Sequence, residues 1–432
     1  MSDVRTRGFE RRTTVPAALA ILAQRVASLP AETVAIDQAV GRVAATDTTA
    51  RIAVPHFARS MMDGYAVVAD STLGATPYAP RPLQVVAQAR PGRPAELARP
   101  LQSGEAVHIA TGAPMPEGAD AVVMVEHTEP SSPRKESTGK ESTGKEGAVQ
   151  VGVTAPVSPG KHVGLIGEDI EDGTVVIAAG RRLRPQDAGA AASAGIGALE
   201  MVRRPRVRIL VTGDELLTPG QLPSGSHIVD SNSLVLSALV QRDGGQLEPI
   251  ARVPDDPARV RDAMTSGEPD VVLVSGGSSV GPEDHAPRLL AEVGEVAVHG
   301  VAMRPASPAG FGFIPHDSGQ RVVFLLPGNP VSCLCAYEFF AGPTIRALGG
   351  RTRQWPHRRR QVRAASKLVS VLGRTDYMRV TLGDDGAHPL MTSGASILSS
   401  TTRADGAIIV PDEDEGFPAG ALVEVLLYED EA

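Results

Sequence analysis

Aromatic residues make up only 3% of this 432-residue chain, with a single tryptophan, so its cores must be built from Val, Leu, Ile and Ala. Cysteine is scarcer still, with two residues, Cys333 and Cys335. Two apart on an expected helix, they point to different faces, which argues against a disulfide between them. Two thiols alone cannot make a structural zinc site either. A reducing, cytoplasmic environment is therefore expected. Positive charge is also in deficit: 42 basic residues face 50 acidic ones, for a net charge of −8. That balance argues against a nucleic-acid partner held through its phosphates. Long apolar runs are missing. The start, "MSDVRTRGFERRTT", is charged, and the apolar run after it is broken by Gln24 and Arg25, so neither a signal peptide nor a membrane span is expected.

The length suits roughly two to four domains. "TTVPAALAILAQRVASLP" reads as a first helix with a threonine cap, Pro16 near its first turn and Pro30 past its end. From Met61 to about Val153 short strands alternate with Gly- and Pro-rich turns, which predicts a small β-rich domain. Inside it, Glu136 to Lys145 is the tandem pentapeptide "ESTGKESTGK". Its Gly139-x4-Gly144-Lys145 spacing imitates a phosphate-binding P-loop. Glu146 stands where the magnesium-binding Ser/Thr should be, and no apolar strand precedes it, so the stretch reads as a solvated surface insertion. It has no apolar residue to anchor it in a core. Deleting Glu136 to Lys145 should therefore shift stability by about 1 kcal/mol or less, as read by thermal melting.

Residues 206–348 alternate strand and helix patterns: "VRILVTG", "SNSLVLSALVQRDG", "QLEPIARV", "DPARVRDAMTSG", "DVVLVSGG", "VVFLLPG" and "NPVSCLCAYEFFAGPTIRALGG". Near-continuous apolar strands in such an alternation imply a parallel, doubly wound sheet, which binds ligands beyond the carboxyl ends of its strands. Three strand ends carry unusual loops: "TGDEL" at 212–216, "SGGSSVG" at 275–281 and "PGNPVS" at 327–332. Glycines and serines there offer N–H groups and hydroxyls to phosphate. Carboxylates beside them make sense when a divalent cation lies between, because magnesium takes one or two carboxylates plus phosphate oxygens. Glu215 and Asp284 thus suggest a magnesium–phosphoanhydride site. Each loop alone is most often a turn or a helix cap; three in one sheet are more telling. His285 reads as a helix-start surface residue, and the "RRR" at 358–360 as a solvated edge. Past "RQWPHRRRQVRA" the chain shows short alternating strands, a separate small β domain.

Other polar clusters fall in "SMMDGYAV" (60–67), "IATGAPMPEGADAVV" (109–123) and "GEDIEDG" (167–173), each of which taken singly is a surface turn. Together with "TGDEL", "SGGSSVG", "LPGNPVS" and "GRTDYMRV", in this order along nearly the whole chain, they resemble the molybdopterin molybdenumtransferases, the MoeA family related to the E domain of gephyrin. The resemblance implies a multidomain α/β protein. It has a doubly wound, MogA-like molybdopterin- and nucleotide-binding domain at 181–349, a β-rich domain at 61–154 and a C-terminal β-barrel at 350–432. An elongated linking region is formed by 1–60 and 155–180, with 31–44 a candidate addition to the α/β domain. It implies a homodimer with a site shared between subunits, acting on adenylylated molybdopterin and molybdate with Mg2+, and releasing AMP. A MogA-type adenylyltransferase and molybdoenzymes are the implied protein partners.

Carried over by position, Glu215 and Asp284 look like magnesium ligands or their close supports. Asp63, Thr111, Asp169 and Asp255 look like polar residues needed for activity. Gly276, Gly277 and Ser279 would line the phosphates, and Ser332 and Arg379 would face the oxyanion. The sequence departs from the family at "RPASP", where many members have "KPGKP": Arg304 keeps one cation of the oxyanion site, and Ser307 replaces the other. A serine frequent in the C-terminal domain falls at Ala395, next to Ser396. The rival readings are a gephyrin-like dimeric scaffold that binds partner peptides, favoured by the lost lysine, and a generic magnesium-dependent nucleotide hydrolase, which leaves "MDGYA" and the β-rich domain unexplained.

Overall fold

The structure is a computed structural model that describes residues 12–131, 149–277, 285–316, 319–391 and 394–428. The pentapeptide repeat, Ser279 and Asp284 lie outside the described residues.

Helix α1 (Val15–Arg25) starts where the threonine cap predicts, with the Thr14 hydroxyl accepting from the Ala17 N–H at 3.4 Å. Its buried residues Val15, Ala18 and Leu22 recur at the spacing of one helical face. That face packs into the core of the α/β domain, with Val301, Phe311 and Phe340 in the same apolar cluster. Ala31–Ala35 pairs antiparallel with Ala198–Val202, and Val34, Ala44, Ile177, Leu183 and Met201 form a separate core.

The β-rich part holds strands β1 (Gly64–Val67), β2 (Arg81–Ala89), β3 (Glu105–Ile109), β4 (Ala121–Met124), β5 (Thr128–Ser131) and β6 (Gln150–Val153). They form one sheet in the order β4-β1-β3-β2-β6-β5. Gly64 is required here: its φ is +158°, and an added Cβ would lie 1.9 Å from the Val123 carbonyl oxygen of the neighbouring strand.

The α/β domain is built on β7 (Arg206–Thr212), β8 (Gln246–Leu247), β9 (Val271–Ser275), β10 (Glu295–His299), β11 (Gly310–His316) and β12 (Gly319–Leu326), in the order β8-β7-β9-β12-β11-β10. The first four in that order are parallel, and β11 and β10 turn antiparallel at one edge. Every residue of β9 is buried, as a central parallel strand covered on both faces must be. Helices α2 (Asn232–Arg242), α3 (Pro257–Thr265) and α4 (Ala286–Val293) connect the strands, and α5 (Pro330–Ala336) follows β12.

The C-terminal part contains β13 (Arg359–Arg363), β14 (Thr375–Gly383), β15 (Gly386–Met391), β16 (Gly406–Val410) and β17 (Leu422–Leu427). Its sheet takes in a strand from outside: Met303–Arg304 pairs parallel with Thr375–Asp376, so the "RPASP" segment is stitched to the C-terminal domain. No helix among the described residues is long and apolar enough to cross a membrane.

Candidate active site

The three strand-end loops converge. Beyond the carboxyl ends of β7, β9 and β12 lies a cleft of about 720 Å³, lined among others by Thr212, Glu215, Asp255, Gly276, Gly277 and Gly328. Gly276 has φ +97°, and an added Cβ would stand 2.4 Å from the Thr212 carbonyl oxygen. Only glycine lets the β9 loop pass so close to the end of β7. Gly277, at φ +55°, continues the bend.

Asp255 sits just before α3, half-buried. Its Oδ1 accepts a short hydrogen bond from the Thr212 hydroxyl, and its backbone N–H donates to Asp214 Oδ1 at 3.3 Å. Thr212 thus holds one carboxyl oxygen and Asp214 the backbone, while Oδ2 has no partner among the described residues. Glu215 lines the same cleft. A carboxylate such as Glu215 beside a glycine loop suits a hard cation that also takes phosphate oxygens. No cluster of three or more Asp, Glu, His or Cys able to hold a metal by themselves occurs among the described residues.

The cleft includes residues the sequence did not single out. Asp230 is 2% exposed and accepts from the Ser233 N–H at 3.0 Å and the Arg252 Nε–H at 3.2 Å. Asn232, at the start of α2, donates to Ser275 Oγ at 2.9 Å and to the Gly328 carbonyl at 2.8 Å, tying two of the loops together. Both fall in a stretch whose Asp and Asn read as ordinary helix-start residues. Ser396 reaches in from the C-terminal domain: its hydroxyl donates to Asn329 Oδ1 at 2.7 Å, while the Ala395 carbonyl accepts from the Val331 N–H at 2.9 Å. So a serine does line the cleft, one position beyond the alanine. Cys333 lies under Ser275, and burial pushes its thiol up to about 12, so it stays protonated and is no nucleophile.

The residues expected around the oxyanion are divided. Ser332 is 3% exposed, and its Oγ accepts from the Ala306 N–H at 3.3 Å, fixing the "RPASP" turn to the α5 loop. Pro308 lines the main cleft, but Arg304 lines a smaller cavity of about 310 Å³ with Lys367 and Ser370. Arg304 is ion-paired at 2.5 Å with Asp376, which also meets Arg374 at 3.1 Å and the Ser370 hydroxyl at 2.9 Å. Ser307 Oγ is buried without a partner among the described residues. Arg379 is fully buried and donates to the Gly394 carbonyl at 3.5 Å.

Asp63 and Thr111 meet each other and stay exposed. The Thr111 N–H and hydroxyl donate to Asp63 Oδ1 at 2.7 and 3.0 Å and hold its carboxyl below the usual range. Asp169 is exposed in the linking region, where its N–H donates to the Val54 carbonyl at 3.1 Å. None of these three lines the cleft of its own chain.

Residues 13–195 match the MoeA N-terminal region (domain I and II), 208–347 the "Probable molybdopterin binding domain", and 361–428 the MoeA C-terminal region (domain IV). Molybdopterin molybdenumtransferase 2 of Mycobacterium tuberculosis is 33% identical over 405 residues, covering 91% of this chain and 94% of that one. The chain belongs to the MoeA family. The molybdopterin molybdenumtransferase of Staphylococcus aureus is 28% identical over 98% of both chains. A crystal structure of the MoeA protein of Pyrococcus horikosii superposes with a TM-score of 0.75 at 31% identity, over 98% of this chain and all of the other. The fold class agrees with the MoeA resemblance read from the motifs.

Proposed function

We propose that this MoeA-family enzyme of molybdenum cofactor biosynthesis transfers molybdate onto adenylylated molybdopterin and releases AMP in a magnesium-dependent reaction. The observation that carries this reading is the convergence of Glu215, Asp255 and the Gly276–Gly277 loop in one cleft. The Gly276 N–H is given to the Leu326 carbonyl at 3.4 Å, and the Gly277 N–H takes the phosphoanhydride, which places its charge against a fixed dipole. Glu215 would hold Mg2+, with Asp284 as the second carboxylate; the ion would draw charge off the phosphate oxygens when bound. Asp255, held by Thr212, orients the attacking water toward the anhydride and accepts its proton. Ser332, Arg304 and Arg379 are assigned to the oxyanion side. Purified protein supplied with adenylylated molybdopterin and Mg2+ should release AMP on addition of molybdate. Binding of the adenylylated pterin with no AMP at any molybdate concentration would favour the scaffold reading, which the loss of a cation at Ser307 supports.

The site is completed by a second copy. Around Asp63, Thr111 and Asp169 the surface carries Met61, Leu165 and Ile166 at 53%, 62% and 60% exposure. Arg59–Ser60 pairs antiparallel with Val163–Gly164, so Met61 stands opposite His162, to whose carbonyl its N–H donates at 2.9 Å, and Leu165 lies beyond the other end of this short ladder. Exposed apolar side chains on the same segments as the polar residues missing from the cleft fit an interface that delivers those residues to the partner's site. Light scattering at micromolar concentration should give about twice the 45.0 kDa chain mass; a monomer would remove the shared site. The protein is assigned to the cytoplasm, between a MogA-type adenylyltransferase that supplies the substrate and molybdoenzymes that take the product. No nucleic acid or membrane is required.

A further inference from the structure

A second cavity, of about 450 Å³, lies at the opposite end of the α/β sheet. Its lining includes Arg182, Arg242, Arg346, Arg351 and Trp355, together with Asp243. It sits beside the start of β7, whereas the cleft sits beyond its end, so the two are roughly 20 Å apart at about 3.3 Å per strand residue.

The carboxylates near this cavity are already committed. Asp243 is fully buried and takes Arg346 at 2.8 Å, Arg242 at 2.9 Å and the Tyr337 hydroxyl at 3.0 Å. Glu338 binds Arg242 at 2.6 Å and His357 at 3.3 Å; burial opposes its charge, but these partners outweigh burial and hold its carboxyl at about 2. Two guanidinium groups are left over. Arg351 donates to the Arg242 and Gly41 carbonyls at 3.1 and 2.7 Å, and Arg182 donates through Nε to Gly41 at 3.3 Å. Neither forms an ion pair with a carboxylate among the described residues. Burial, then the neighbouring charge of Arg182, lowers Arg351 to about 10. Arg346, 3% exposed, has a buried Nε–H with no acceptor among the described residues.

Carbonyl contacts explain part of this: Arg351 caps the C-terminal end of α2, where a cation meets the last carbonyls. They do not explain why this cap should line an open cavity with the like charge of Arg182 beside it. A guanidinium offers five N–H donors in a fork that matches phosphate oxygens, and two carbonyls use only part of Arg351's set. Trp355, Pro356 and Val43 add an apolar wall, and the volume lies within the range of small-molecule sites. We propose that this cavity is a second binding site, separate from the cleft, for a phosphate monoester of nucleotide size, its phosphate held by Arg182 and Arg351 and its body lying toward Trp355.

Trp355 is the chain's sole tryptophan, so its fluorescence reports this cavity and not the cleft. The full chain would be titrated with AMP, inorganic phosphate and adenosine, at ionic strength fixed with potassium chloride. AMP should change the emission saturably, with half-saturation below about 1 mM, while phosphate and adenosine alone should bind more weakly. Arg182→Gln alters an exposed side chain and should leave the melting temperature in place. It should weaken the AMP response about tenfold, the value of one charge-assisted hydrogen bond. Arg351→Gln should do the same or more. No saturable response to AMP, a response equal to that of potassium chloride, or a response unchanged in Arg182→Gln would each overturn the site. Phosphate alone saturating as tightly as AMP would overturn the ester assignment.

Discussion

Asp255→Ala is expected to lower molybdate-dependent AMP release by about a hundredfold or more, close to 3 kcal/mol of transition-state stabilisation. The reason is geometric. Asp255 stands on the rim formed by the end of β7, with one oxygen tied to Thr212 and the other facing no partner among the described residues. An oriented carboxylate in that position can hold a water in line with a phosphoanhydride seated on the Gly276–Gly277 loop. Because the residue is half-buried in a connecting loop, its removal should cost little stability. Thr212→Val separates position from chemistry. It keeps the carboxylate but loses the hydrogen bond, and should cost about tenfold, the value of one such bond. Near-normal AMP release by Asp255→Ala, with circular dichroism unchanged, would exclude a direct role. Equal losses in the two variants would instead assign the effect to the shape of the loop.

How far this site could be read in advance depends on where its signals lie in the chain. The β7, β9 and β12 strands are near-continuous apolar runs with a glycine within two residues of their ends, and both their alternation with helices and their ligand-bearing ends follow from that pattern. Gly276 could be singled out because a glycine directly after a buried strand marks a close approach, here to the Thr212 carbonyl. Asp230 and Asn232 could not. They precede a helix, where such residues normally serve the backbone, and Asp230 does so by accepting from Ser233. That Asn232 also bridges Ser275 and Gly328 depends on contacts 43 and 96 residues away, which no local pattern encodes. The same holds for Met303–Arg304. A two-residue strand has no periodicity to detect, and its partner Thr375–Asp376 belongs to another domain.

That short strand shapes the second large effect. Arg304→Ala is expected to raise the molybdate requirement for AMP release at least tenfold and to lower stability by about 3 kcal/mol, because it leaves a buried carboxylate without one of its two cations. Asp376 is 2% exposed and rests between Arg304, Arg374 and Ser370. The two consequences have different origins. A loss of stability follows from the ion pair alone, which fastens the "RPASP" turn to the C-terminal domain. A loss of molybdate affinity requires the guanidinium itself. Asp376→Asn separates them: it breaks the pair but keeps the cation. If Arg304 binds the oxyanion, Asp376→Asn should be destabilised yet keep its molybdate requirement within a few-fold of the parent. If Arg304 only fastens the turn, both variants should shift the requirement together. Ser307→Lys tests the same point from the other side. Its hydroxyl is buried without a partner among the described residues, and a second cation beside a dianion there is worth on the order of 1 kcal/mol. The molybdate curve should then move to lower concentration. A curve that moves in none of the three variants would place the oxyanion away from this turn, with Ser332 and Arg379 as the remaining residues assigned to it.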